Sequence, residues 1–184
     1  MADESETSPV SFDVHVARLP RNGMPVVIGA DARQRAELAR LHGLVSVEAF
    51  RAEVLVSPWK RHGVRVEGRV TATITQSCVV TLEPVRAVID EAVSATYLPE
   101  ESKLGREGFG LGGEILIDVD GPDSPETFTG DRIDVGALAE EFFGLAIDPY
   151  PRSPGAALVS SGEGPEPGGS DEMRSKLAAL FPKT

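Results

Sequence analysis

The chain has 184 residues, a formal net charge of −11, 41% hydrophobic residues and 5% aromatics. That length suits one domain with tails, its core resting on Val, Leu, Ile and Ala rather than on rings. No apolar run reaches the ~18 residues of a membrane span, the acidic start "MADESETSPV" lacks the basic and apolar stretches of a secretory leader, and a single cysteine excludes an internal disulfide, so a cytoplasmic protein without membrane contact is expected.

Residues 1–9 read as a disordered N-terminus. "SFDVHVARLP" alternates Phe12, Val14 and Val16 as a first strand, with His15 on its other face. "RNGMP" is a turn in which Asn22-Gly23 supplies positive φ, and "VVIGA" is a short apolar strand. "DARQRAELARLHGL" is a helix: Asp31 is the N-cap, Gln34 completes a capping box, and Gly43 is the stop. Its Arg33, Glu37 and Arg40 form an exposed stripe.

The strongest pattern follows. Val45, Val47 and Ala49 alternate. Then Val64, Val66, Gly68, Val70, Ala72 and Ile74 fall at period two, with Arg65, Glu67, Arg69, Thr71, Thr73 and Thr75 between them. One face of this strand is buried and the other solvated. Gly68 marks a bulge or a close backbone approach. The tip between the strands, "SPWKRHG", carries the sole Trp59 followed by Lys60, Arg61 and His62. Two readings stand: a basic tip whose ring stacks on a base, or a hairpin end with its ring folded onto the sheet. "CVVTLEP" turns the chain, and alternation resumes through Val85, Ala87, Ile89, Val93, Ala95 and Tyr97, broken by Glu91.

Residues 99–113 form a charged, glycine-rich loop. Its "GFGLGG" lacks the Lys-Ser/Thr of a phosphate-binding loop. "EILIDVD" is a further strand, and "GPDSPETFTGD" an acidic loop without the ligand spacing of an EF-hand. "DVGALAEEFFGLAIDPYPRSPG" is a helix capped by Asp134, with Leu138, Phe142 and Leu145 on one face, Phe143 and Ile147 beside it, and Glu140 and Glu141 mostly away from it. Asp148-Pro149-Tyr150-Pro151 ends it. The α+β domain is thus expected over 10–152, a flexible linker over 153–170, and a short amphipathic C-terminal segment over 171–184 bearing Leu177, Leu180 and Phe181. The expected fold is a curved antiparallel β-sheet or partly open barrel of five to six strands with two main helices and a flexible C-terminal tail.

Charge is distributed unevenly. His15 to Arg86 holds eleven Lys and Arg against six Asp and Glu, whereas Ala87 to Glu172 holds four against nineteen. Solvated faces account for this; so does a molecule with a phosphate-seeking half and a half that attracts basic protein. Chemistry for catalysis is not apparent. Cys78 and the histidines at 15, 42 and 62 lack zinc-site spacing, Cys78 has no sequence-near base, and adjacent Glu140 and Glu141 point apart on a helix. No catalytic residue, metal or cofactor is expected.

"VEGRVTATITQSCVVTLEPVRAVIDEAVSATYLPE" resembles the core of the YceD family, the large ribosomal RNA subunit accumulation proteins, in its alphaproteobacterial form. The acidic, apolar helix ending in Asp-Pro-Tyr-Pro is similar too. Many members carry Cys-x-x-Cys where this chain has "CVVT", so Thr81 stands at the second position. Many also carry a cysteine after the acidic helix, where this chain has "DPYPRSPG". Cys78 is therefore expected to pack as a small apolar group. The resemblance implies a non-enzymatic role in 23S ribosomal RNA accumulation and large-subunit biogenesis. The partner would be 23S RNA or its precursor, and the charge asymmetry adds a basic large-subunit ribosomal protein as a further or alternative partner. Joined to the charge asymmetry, it makes Arg51, Trp59, Lys60, Arg61, Arg65 and Arg69 the candidate RNA contacts. Glu140 and Glu141 are the candidate contacts for a basic protein. The alternative is an acidic interaction module or chaperone that never touches RNA.

Overall fold

A computed structural model of the chain describes residues 7–100 and 125–156. The expected strand at 114–120, residues 101–113 of the loop before it and 121–124 of the loop after it, nearly all of the 153–170 linker and the 171–184 segment lie outside the described residues; the rest of the expected second loop is not all loop, since Glu126–Phe128 form a short strand there. Met1–Ser153 form one unit, treated below; Pro154–Thr184 form another.

The elements run β1 (Asp13–His15), β2 (Met24–Gly29), α1 (Ala32–Leu41), β3 (Ser46–Trp59), β4 (Gly63–Ser77), β5 (Pro84–Pro99), β6 (Glu126–Phe128), β7 (Arg132–Asp134) and α2 (Val135–Leu145). Five strands form one sheet in the order β2-β3-β4-β5-β6, and β1 pairs with β7 in a separate antiparallel ribbon. The fold is α+β with a curved sheet. Among the described residues that sheet stays open, with β2 and β6 at its edges, rather than closing into a barrel. It is antiparallel except that β6 runs parallel to β5. No helix among the described residues is long and apolar enough to cross a membrane.

Period-two alternation on β4 holds throughout: Val64, Val66, Val70, Ala72 and Ile74 are buried, and the residues between them are not. Each fully buried valine contributes about 1.5–3 kcal/mol by leaving water. On β3 the expected pattern breaks. A bulge between Val47 and Ala49 shifts the register, so Phe50, Ala52, Val54 and Val56 join Val47 in facing the core while Ala49 faces out; Val45, one residue before the strand, is exposed. One extra residue exchanges the faces of everything beyond it. Gly68 is a close approach and not a bulge. It lies opposite Val54 in continuous register, and a β-carbon there would collide with the Glu53 carbonyl and come within 2.6 Å of the Val54 Cα.

Both helices cover one face of the sheet, α1 on β3 and α2 on β4 and β5. The α1 capping box forms as expected, Asp31 accepting from the Gln34 N–H and Gln34 from the Asp31 N–H. The first strand is shorter than its alternation suggests, because Val16–Arg18 turn as a 3₁₀ helix. On α2 the buried set is Val135, Gly136, Leu138, Ala139 and Phe143. Leu145, expected on that face, is exposed. Residue 145 lies within about 20° of buried Leu138 on the helical wheel, so its exposure goes with its place as the last residue of the helix rather than with its face. Glycine at 136 is required because a β-carbon would collide with the Val10 carbonyl.

Phe143 joins the layers. It is fully buried and meets Phe50 of β3 edge to face at 5.4 Å and His42, at the end of α1, at 5.1 Å. Phe143→Ala is expected to lower unfolding free energy by about 3–5 kcal/mol, measured by urea denaturation; a loss under 1 kcal/mol contradicts this packing.

Asp134 ties the N-terminus to α2. Its carboxylate accepts from Gly136 N and Ala137 N (2.9 Å each), Phe12 N (2.8 Å) and Ser11 Oγ (2.6 Å). Burial opposes the charge, but these four donors outweigh it and hold the carboxyl below its usual range. The lowered folded value means its contribution is complete above the unfolded value and fades as pH falls through the folded one. Asp134→Ala is expected to cost about 1–2 kcal/mol near pH 7, with the difference from wild type shrinking below pH 4. A difference that grows on acidification contradicts the assignment.

Candidate nucleic-acid interface

Among the described residues, the face of the sheet turned away from the helices is open. Cross-strand register sets its rows: Gly29, Arg51, Thr71 and Asp90; then Val27, Glu53, Arg69 and Ala92; then Pro25, Leu55, Glu67 and Ser94; then Ser57, Arg65 and Thr96. The structure thus brings Arg51, Arg65 and Arg69 onto one surface, from two strands. It also gives two of them partners. Arg51 Nη2 lies 2.5 Å from Glu53 Oε1, and Arg69 pairs with Asp90 on β5. Both pairs are more than half exposed, so water and salt screen them and they contribute little. Arg86, opposite Thr75, is a fourth arginine on this face; Glu48, Glu53, Glu67 and Asp90 balance the four. A strongly positive sheet face, as the arginine count alone suggests, is therefore absent. Strand-by-strand reading misses this because Asp90 reaches Arg69 only through β4–β5 pairing.

The tip carries more positive charge. Lys60 Nζ lies 5.6 Å and the Arg65 guanidinium 5.7 Å from the Trp59 ring centroid. The indole is half-buried and has two cations close to its ring. Arg61 follows in the same turn.

Glu140 and Glu141 diverge. Glu140 is mostly buried and bonds His42 Nε2 at 3.1 Å, tying α2 to the end of α1. Sequence reasoning placed it facing away, and only the α1–α2 junction shows otherwise. Glu141 is exposed and stands near Tyr97 and Glu126. Burial, and then repulsion from Glu141, hold the Glu126 carboxyl above its usual range. Burial likewise pushes the Tyr97 hydroxyl up, with the charges of Glu126 and Glu141 adding to it. Of the two glutamates, Glu141 is the one free of a structural tie in α2, and it stands in an acidic neighbourhood.

Cys78 is buried, as expected of a small packed side chain, but its surroundings are polar. Its sulfur accepts from Ser153 N (3.3 Å), Thr81 N (3.4 Å) and Val80 N (3.5 Å), with Ser153 Oγ at 3.6 Å. The Thr81 hydroxyl, then the Ser153 and Thr81 amides, lower the thiol to about 6. The two segments that carry the family likeness meet here. Gln76 Nε2 donates to the Asp148 carbonyl at 2.8 Å and Val79 N to the Pro151 carbonyl at 2.9 Å. The Asp-Pro-Tyr-Pro exit from α2 therefore folds back over the end of β4. Sequence spacing hid this, since the partners are more than 70 residues apart.

An open-faced α+β sheet with a cationic, aromatic tip describes a scaffold that presents a surface. The family model for the large ribosomal RNA subunit accumulation protein YceD matches residues 66–180, and the chain belongs to that family, whose description ties it to accumulation of the large ribosomal RNA subunit. The match takes in both β4 and the α2 exit that meet at Cys78. No curated protein and no solved structure matches the chain.

Because the folded thiol lies below its ordinary value of 9.0, its contribution is full above that value and is lost as pH falls through about 6. The stability of wild type relative to Cys78→Ala is expected to rise between pH 6 and pH 9, read from paired denaturation curves. A difference independent of pH contradicts the donor cluster.

Proposed function

We propose that this chain is a non-enzymatic assembly factor that promotes 23S RNA accumulation by contacting the RNA or its precursor. The contacts are the open sheet face and the β3–β4 tip, and such a role places the chain in the cytoplasm. The observation that carries this reading is the convergence of Arg51, Arg65 and Arg69 on one uncovered face that leads to Trp59 and Lys60, in a chain of this family. The exposed pairs Arg51–Glu53 and Arg69–Asp90 do not oppose it, because screened partners exchange readily for phosphate oxygens. The balancing carboxylates limit non-specific binding, which a uniformly basic face invites.

A second reading is favoured by Glu141 and Glu126 and by the net charge of −11: the acidic side holds a basic large-subunit ribosomal protein and RNA is never touched. The two readings differ in which surface matters. Replacing Arg65 and Arg69 by Glu is expected to weaken binding of a 23S fragment and to flatten the slope of log K against log salt by about 1 for each lost phosphate contact. Glu141→Lys is expected to leave both unchanged. The reverse result, RNA affinity insensitive to the arginines while a ribosomal protein is lost with Glu141→Lys, establishes the second reading and overturns the first.

A further inference from the structure

A groove of about 510 Å³ opens beside the β3–β4 tip. Chain segments far apart in sequence build it: Val16 and Leu19 from the turn after β1, Pro58 and Trp59 from the end of β3, and Phe128 from β6. Resting on the RNA-binding reading above, we propose that this groove receives a single unpaired nucleotide of an RNA strand, its base against Trp59 and its phosphate on Lys60 and Arg65.

Three observations carry the assignment. The first is the lining. It is mostly apolar and includes an indole with two cations 5.6 and 5.7 Å from its ring centroid, the combination that grips single-stranded RNA: a ring for the base face and a cation for the phosphate. When a base takes one face of the ring, the cation displaced from that face is already beside the phosphate the base brings. A duplex hides its base faces and cannot use the site.

The second is charge. Arg18 lies between lining residues Ala17 and Leu19, and Lys60 and Arg61 lie between lining residues Trp59 and His62. One acid, Asp131, lines the groove, and it is already engaged by His15 at 3.3 Å and Arg132 at 3.6 Å. The residues that flank the lining in sequence are thus mainly basic, with Arg132 added next to Asp131 and only Glu100, next to Pro99, opposing them, and in a chain whose net charge is −11 an anionic occupant fits such a neighbourhood. An acidic peptide would match the charge, but it gains nothing from a flat ring flanked by two cations.

The third is the backbone. His62, which lines the groove, has φ of 66°, a left-handed conformation unusual for a residue other than glycine. It precedes Gly63, where a β-carbon would stand 2.8 Å from the Tyr97 carbonyl. The strand beneath thus holds the tip in a costly shape that sets His62 at the groove, and such costs concentrate at binding sites.

The sole tryptophan makes the test direct. The full chain is titrated with a ten-nucleotide uridylate strand and with a ten-base-pair RNA duplex. Trp59 emission reports the groove, and the anisotropy of labelled RNA reports binding anywhere. Saturable quenching by the single strand, little by the duplex, and about tenfold or greater loss of single-strand affinity in Trp59→Leu are expected. Thermal melting of that variant verifies its fold, and the wild-type quench needs no variant. Binding seen by anisotropy without quenching, and unchanged by Trp59→Leu, overturns the groove and leaves RNA binding on the sheet face standing. No binding in either readout overturns both, and if extracted large-subunit proteins then quench Trp59, the groove is a protein site.

Discussion

Along β4, apolar and polar side chains alternate from Val64 to Thr75 while β3 and β5 hydrogen-bond along both of its edges. A slip of one residue against either neighbour would put arginine and threonine into the core and valine into water. Gly68 holds the β3 register closely, since no side chain fits between it and the Glu53–Val54 backbone. With the faces fixed, both helices must pack on the valine side. Among the described residues the arginine and threonine side is then left bare, so the exposed surface follows from the same constraint that builds the core.

The second dependence is the return of the chain after α2. Its Asp-Pro-Tyr-Pro exit gives Gln76, Val79 and Cys78 their partners at the far end of β4. This explains why a small, apolar residue type such as cysteine sits among amides and hydroxyls. Three amides converge on one atom, which favours a negative charge there without exposing it. The two ends of β4 thus differ in kind: one is locked by backbone donors around a buried sulfur, and the other presents a ring and cations to solvent.

Much of this was legible in the sequence because period two is read directly from residue order. The β4 and β5 faces, the Asp31 and Asp134 caps and the α+β class all rest on patterns within one element. What was not legible involves two elements at once. The bulge at Val47/Ala49 exists only relative to β4, and it reversed the facing expected of Ala49, while Val45 precedes β3 and is exposed. Leu145 looks core-facing on a helical wheel but ends the helix and is exposed. Glu140 looked solvated until His42 arrived from α1. Of the candidate site, the arginines were identifiable by face, but Glu53 and Asp90 beside them are consequences of strand pairing. The groove at the tip draws on Val16, Leu19 and Phe128, whose meeting no local pattern encodes.

The central claim is that the uncovered sheet face and its tip, rather than the helical side, meet the ribosomal RNA. Ultraviolet cross-linking of the full chain to RNA in growing cells, followed by mass spectrometry of the cross-linked peptides, tests it most directly. The account predicts adducts to 23S RNA or its precursor within peptides spanning Arg51 to Arg69, with Trp59 among the modified residues. Adducts confined to α2 and its exit, or cross-links to protein with none to RNA, would contradict it.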